Sequence, residues 1–140
     1  MNEIAEAEIP VLLPLHPRTQ KALAALGLRL RSPRLQLAEP APYLDMLSLE
    51  AEARLVLTDS GGVQKEAFLL RVPCLTLRED TEWVETVEAG WNALVGAKEE
   101  RIVAATKRLL HDPPPPPAIP PYGDGHAAER IVGILMGHEA

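Results

Sequence analysis

The chain has 140 residues, enough for one domain with a real core, and its 46% apolar content excludes disorder as a whole-chain description. With 14 basic and 20 acidic side chains the net charge is −6, which argues against nucleic acid or an anionic membrane as the main partner. Aromatic residues make up only 4%, so the core must rest on Leu, Val, Ile and Ala.

The first apolar run, Val11 to Leu13 in "PVLLPLHP", reads as a buried strand ending at His16-Pro17. "RTQKALAAL" follows with helical spacing at Ala22, Leu23 and Leu26, and Gly27 is placed to stop it. A second strand is expected around Leu35 and Leu37, closed by Pro40 and Pro42. "YLDMLSLEAEA" then carries apolar residues at Leu44, Leu47 and Ala51, which predicts a helix with an acidic outer side. Arg54 to Thr58 is the third strand, Gly62 to Leu70 a helix, and "VPCLTL" a fourth strand.

"REDTEWVETVEAG" packs charges around Trp83, Val84 and Val87 as a loop or short helix, and "NALVG" offers a brief fifth strand. "KEERIVAATKRLLHD" is amphipathic, with Ile102, Val103, Thr106, Leu109 and Leu110 along one face. Residues 112–121, with Pro113 to Pro117 at their heart, predict a stiff polyproline II connector. "HAAERIVGILMG" is a closing amphipathic helix. Strands apolar on both sides, alternating with helices, predict an α/β fold: a single domain over 1–140 with a Rossmann-like parallel sheet covered on both faces.

Cys74 is the sole cysteine, so no internal disulfide forms, which fits a reducing compartment. Within "VPCLTL" it reads as a small core residue. The acidic start "MNEIAEAEIP" lacks the layout of a signal peptide, and no apolar run approaches the ~20 residues of a membrane span. The expectation is a soluble, cytoplasmic protein. The four histidines are scattered, which provides no metal-ligand spacing.

Chemistry concentrates at "LVLTDSGGVQKEA". Ligands of open parallel sheets sit beyond the carboxyl ends of the strands, and Asp59-Ser60-Gly61-Gly62 lies at such an end. The first amides of the helix that follows lack internal partners and carry the positive end of its dipole. Gly61 and Gly62 let a phosphate approach, Ser60 can donate a hydroxyl, and Glu66, about one turn on, can reach adjoining sugar hydroxyls. Ordinary turn chemistry and helix capping would use the same residues. Asp59 would repel phosphate, so it is expected to cap the helix or brace the turn.

Two further loops share that rim. His16 and Arg18 follow the first strand, where they stand either to face a bound diphosphate or to serve as plain loop residues. Arg78 stands either to bond phosphate or to pair within its own charged loop, and Glu82 and Glu85 to orient sugar hydroxyls or join those pairs. In "PYGDGHAAER", Asp124 reads as a cap near the last helix.

Taken in order, "HPRT", "LTDSGGVQKEAFLLRVPCLTLREDTEW", "ETVEAG", "LVG" and "PYGDGHAAERI" closely resemble the non-hydrolysing UDP-N-acetylglucosamine 2-epimerases. The resemblance runs from Val11 to Leu135 and implies the C-terminal, nucleotide-binding lobe of the two-lobed GT-B fold. It implies that Ser60, Gly61 and Gly62 seat the diphosphate, that Glu66 holds the ribose hydroxyls, and that Met46 falls where backbone contacts grip the uracil. His16 matches a histidine that helps bind the sugar nucleotide, in some members at a regulatory site. Trp83 departs from the family, which often has "TERPE" where this chain has "TEWVE", so the arginine's role is not carried over.

The family eliminates UDP to give a 2-acetamidoglucal and adds it back after inversion at C2, with no redox cofactor, in the service of cell-surface polysaccharide biosynthesis. Its chains are more than twice this length. The acidic groups implicated in proton transfer, an active-site histidine and the first strand of the C-terminal lobe fall in sequence that precedes the matched part. The resemblance therefore implies no catalytic residue in this chain, a UDP or UDP-GlcNAc ligand, a separate N-terminal lobe as partner, and a homodimer. A sheet lacking that strand would expose an edge. A non-catalytic UDP-sugar-binding module and a truncated remnant are the alternatives.

Overall fold

The computed structural model describes residues 4, 9–28, 32–115 and 122–137. In chain order these form β1 (Val11–Pro14), α1 (Pro17–Ala25), β2 (Leu35–Ala38), α2 (Tyr43–Glu52), β3 (Val56–Thr58), α3 (Gly61–Leu69), β4 (Cys74–Thr76), α4 (Val84–Glu88), β5 (Asn92–Leu94), α5 (Glu99–His111) and α6 (Ala127–Leu135). Each element lies within one residue of a segment marked in the sequence, α3 for instance starting at Gly61 instead of Gly62. Two strands are shorter than expected, β3 starting at Val56 and β4 spanning only the centre of "VPCLTL", while β1 runs one residue further, to Pro14. Of the connector expected over 112–121, residues 113–115 carry no regular structure and 116–121 lie outside the described residues.

All pairing is parallel, as an α/β fold requires: β1 with β2, and β3 with β4 with β5. The strands form two hydrogen-bonded sheets, of order β1-β2 and β3-β4-β5. The ladders fix which backbone groups face outward. Val11 and Leu15 donate to the β2 side, so the alternation of a parallel ladder points Leu12 away from it. Val56 donates to Pro73 and Thr58 accepts from Leu77, so Leu57 points away from β4. Among the described residues β1 and β3 each pair on one side only.

Side-chain alternation in the larger sheet sorts two layers. Leu75, Val95 and Leu109 form a buried cluster with Leu57, Ala93, Ile102 and Ala105 around it, so α5 covers one face. Glu99 and Glu100 in its first turn, and Arg108 and His111 in its last, complement the helix dipole. Cys74, Thr76 and Asn92 point to the opposite face, where Gln64, Ala67 and Phe68 of α3 are buried. Cys74 is a free thiol, 1% exposed, and burial pushes its pKa up to about 12. That holds it protonated and unreactive.

Two helices differ from expectation. The acidic side of α2 is not wholly outward: Glu50 is 4% exposed, whereas Leu44, assigned to the inner stripe, is 73% exposed. Packing against α3 turns Met46, Leu47 and Glu50 inward. In α6 the amphipathic pattern is present, yet none of its residues is buried, and Ile131, Val132, Ile134 and Leu135 are all exposed.

Candidate functional site

The corner between β3 and α3 is built from side-chain oxygens and missing Cβ atoms. Ser60 is the N-cap in an extended conformation, and its hydroxyl makes no capping bond. Thr58 braces the turn instead, its Oγ1 accepting from the Ser60 N–H at 3.0 Å. The role expected of Asp59 thus belongs to Thr58; among the described residues the Asp59 carboxylate makes no hydrogen bond. The N–H groups of Gly61, Gly62 and Val63 also meet no acceptor among them. Three aligned donors at the positive end of a helix make a seat for an anion, with the free Ser60 hydroxyl beside them.

The two glycines serve different neighbours. A Cβ on Gly62 would meet only the Ser60 Oγ, at 3.8 Å, so this side is open to a ligand. A Cβ on Gly61 would land on Glu82 Oε1 and stand 3.3 Å from Trp83 Nε1. Gly61 therefore makes room for the loop before α4 to lie across the start of α3. Gly61→Ala is expected to displace the flexible Glu82 carboxylate and press on the indole. Stability should change by less than about 1 kcal/mol, while affinity for a phosphate-bearing ligand falls, as calorimetric titration and thermal melts of the same sample would show.

That loop is held from below by buried polar side chains. The Thr81 hydroxyl donates to Gln64 Oε1 at 2.6 Å and accepts from the Trp83 N–H at 3.1 Å. Asn92 Nδ2 donates to Gln64 Oε1 and to Thr86 Oγ1, and its Oδ1 accepts from the Thr76 hydroxyl at 2.7 Å. Gln64, Thr76, Thr86 and Asn92 are all at most 3% exposed. The network joins β4, β5, α3 and α4 to the loop, and sequence reasoning missed it. The only local signal was the polar residues inside apolar runs.

Arg78 is paired within its own charged loop. Its guanidinium donates to Asp80 at 3.2 Å and to Glu82 at 3.1 Å, contacts that raise its pKa. Glu82 is thereby engaged at Oε2 while its Oε1 rests against Gly61. Lys65 adds positive charge beside the seat, its Nζ lying 4.5 Å from the Trp83 ring centroid and 4.6 Å from that of Tyr122. His16 caps α1, its Nδ1 accepting from the Arg18 N–H at 3.2 Å. Both residues are exposed at the carboxyl end of β1, apart from the Ser60 to Glu66 corner in the chain.

Glu66 and Met46 are both half-buried, on the packed pair α3 and α2. Tyr43 is the neighbour of Glu66, whose charge raises the phenol's pKa. Glu50 lies in the same contact, and neither of its carboxylate oxygens has a partner among the described residues. Burial, and secondarily the Glu66 charge, push its pKa up to about 7. A separate hollow of about 330 Å³ lies among Ile9, Arg54, Thr106 and Leu110. Arg54 precedes β3, so this hollow is at the amino ends of the strands, away from the free helix amides. Among the described residues no group of His, Cys, Asp or Glu could hold a metal ion, and no helix is long and apolar enough to cross a membrane.

The sequence model of the UDP-N-acetylglucosamine 2-epimerase family matches residues 1–136. The chain belongs to that family. The family's chain here is 46% identical over 135 residues to the UDP-2,3-diacetamido-2,3-dideoxy-D-glucuronate 2-epimerase of Pseudomonas aeruginosa, covering 96% of this chain and 37% of that one. Its structure matches UDP-GlcNAc 2-epimerase from Methanocaldococcus jannaschii with a TM-score of 0.84 at 43% identity, over 96% of this chain and 38% of the other. The same enzyme in complex with UDP-GlcNAc and UDP matches with a TM-score of 0.80. This epimerase-family chain thus spans little more than a third of the length of the relatives it matches, as the C-terminal lobe of their α/β architecture does.

Proposed function

We propose that this chain is the lobe of a UDP-N-acetylglucosamine 2-epimerase that holds the UDP of the sugar nucleotide during C2 epimerisation of UDP-GlcNAc to UDP-ManNAc. One observation carries the reading: three helix amides and a Ser60 hydroxyl without partners among the described residues stand at the carboxyl end of β3, with Glu66 one turn into the same helix. In this reading Ser60, Gly61 and Gly62 take the diphosphate, Glu66 the ribose hydroxyls, and the backbone near Met46 the uracil. His16 and Arg18 belong to an outer sugar-nucleotide or regulatory contact. Arg78 and Glu82 reach ligand only if their mutual ion pair opens. No residue here is assigned to proton transfer, no cofactor is invoked, and the working compartment is the cytoplasm.

Catalysis in this reading needs an N-terminal lobe to supply the acid, the base and the second wall of a closed cleft. The one-sided pairing of β1 and β3 among the described residues supports a further strand of this same lobe, upstream of β1. A strand entering between them would give the order β2-β1-new-β3-β4-β5, which is the 3-2-1-4-5-6 order of doubly wound nucleotide folds. The ligand crevice of such a sheet falls where the order reverses, beside β3 and the start of α3. A homodimer is proposed on the resemblance alone.

A UDP titration followed by backbone-amide NMR, with CMP as the control, tests the site. Shifts should centre on Ser60 to Glu66 and saturate with UDP only. Ser60→Ala and Glu66→Ala should each weaken UDP by about tenfold, the magnitude of a lost charge-assisted hydrogen bond, with little change in melting temperature. Unchanged affinity in both variants would sink the assignment.

A further inference from the structure

Trp83 carries a donor that no described residue uses. Its Nε1 is sealed from solvent and has no acceptor among the described residues, although a buried unpaired N–H is costly. By contrast the other indole, Trp91, donates to the Pro115 carbonyl at 2.8 Å. Trp83 Nε1 lies beside the first residue of α3, 3.3 Å from where a Gly61 Cβ would stand. It is therefore next to the three free amides of the seat.

Its placement is held from several sides. The Trp83 N–H is bonded to Thr81, and the Trp83 carbonyl accepts from the Thr86 hydroxyl at 2.7 Å. Tyr122 meets the indole edge-on at 6.3 Å between centroids and meets Phe68 at 5.6 Å. Lys65 lies over both the Trp83 and Tyr122 rings. A cation on a ring face strengthens the polarity of an N–H at the ring edge and brings positive charge to the neighbourhood of an anion. Glu82 Oε1, which shares the Gly61 contact with the indole, does not accept from it, and the other oxygen of that carboxylate is held by Arg78.

We propose that the Trp83 indole N–H is a ligand-binding donor of this site, bonding a non-bridging oxygen of the nucleoside diphosphate as it seats on the amides of Gly61 to Val63. The proposal rests on the UDP-binding reading above. It makes the indole, backed by Lys65, a second side-chain donor to the diphosphate beside Ser60. The Glu82 carboxylate has to leave the Gly61 contact when the phosphate arrives, since both are negative.

The test is an indole and backbone 1H–15N titration of the 140-residue chain with UDP and then with inorganic pyrophosphate. Only Trp83 and Trp91 give indole signals, and Trp83→Phe assigns them. The Trp83 signal should move downfield and saturate with the same midpoint as the Gly61 to Val63 amides, while Trp91 stays in place. Trp83→Phe should bind UDP about tenfold more weakly. If the amides move and the Trp83 indole does not, the proposal is overturned and the UDP site stands. If neither moves, both fail for this chain. Should Trp83→Phe fold poorly, the two wild-type indole signals decide alone, assigned by Trp91→Phe.

Discussion

Replacing Asn92 with alanine is expected to cost about 3 kcal/mol, the largest effect of any single change at the base of this site. Asn92 is 3% exposed and makes bonds with Thr76, Gln64 and Thr86. Its loss leaves the hydroxyl of Thr76, itself fully buried, without its acceptor, and opens a small cavity between β5 and α3. Gln64 Oε1 keeps its bond from Thr81, and Thr86 keeps its bond to the Trp83 carbonyl, so the loop is loosened without being released. Urea unfolding measures the cost, and the Asn92→Ala, Thr76→Val double-mutant cycle isolates the shared bond. UDP affinity should fall too, since the network holds Thr81 and Trp83 over the start of α3. A cost below about 1 kcal/mol, or strict additivity in the cycle, would show that the network contributes little.

Glu50→Gln is expected to stabilise the chain above neutral pH and to do nothing at acid pH. The folded pKa of Glu50 is raised to about 7, first by burial and then by Glu66, against an ordinary value of 4.5 in the unfolded chain. Between those values the folded state keeps a proton that the unfolded state has released. Stability therefore declines as pH rises from 4.5 to 7, and the loss is complete above 7. Below 4.5 both states hold the proton and the difference vanishes. The wild type therefore loses stability across this window, and the divergence of its curve from that of the variant measures the loss. Gln keeps the shape and removes the charge, so the variant should be level with wild type at pH 4.5 and more stable at pH 8. Parallel stability curves for the two chains would show that Glu50 titrates normally.

What could be read from sequence was local. The strand-helix alternation was legible because each element repeats its own period: α5 places Ile102, Ala105 and Leu109 on one face, and β4 is buried on both of its faces. The Ser60-Gly61-Gly62 corner was legible because a strand end, an N-cap and two glycines are contiguous. The family was legible because several such motifs keep their order along most of the chain. Side-chain environments across elements were not. Glu50 read as part of an outer acidic side, since nothing in α2 tells that α3 will cover it; tertiary burial then shifts its pKa.

Gln64, Thr76, Thr86 and Asn92 read as ordinary helix and strand residues, because the bonds that join them cross up to 28 positions of sequence. His16 read as a ligand contact or a plain loop residue, and the backbone turn at Pro17 brings its ring to accept from the Arg18 N–H. Gly61 was read as space for phosphate, and the fold brought Glu82 and Trp83 to that space as well. By itself, then, the sequence determined the α/β class, the family and the corner where an anion can sit, because hydrophobic period, turn chemistry and motif order are properties of neighbouring residues. Only the tertiary structure decided which groups surround that corner and which ones lack partners, because those depend on what the packing of distant elements removes from water.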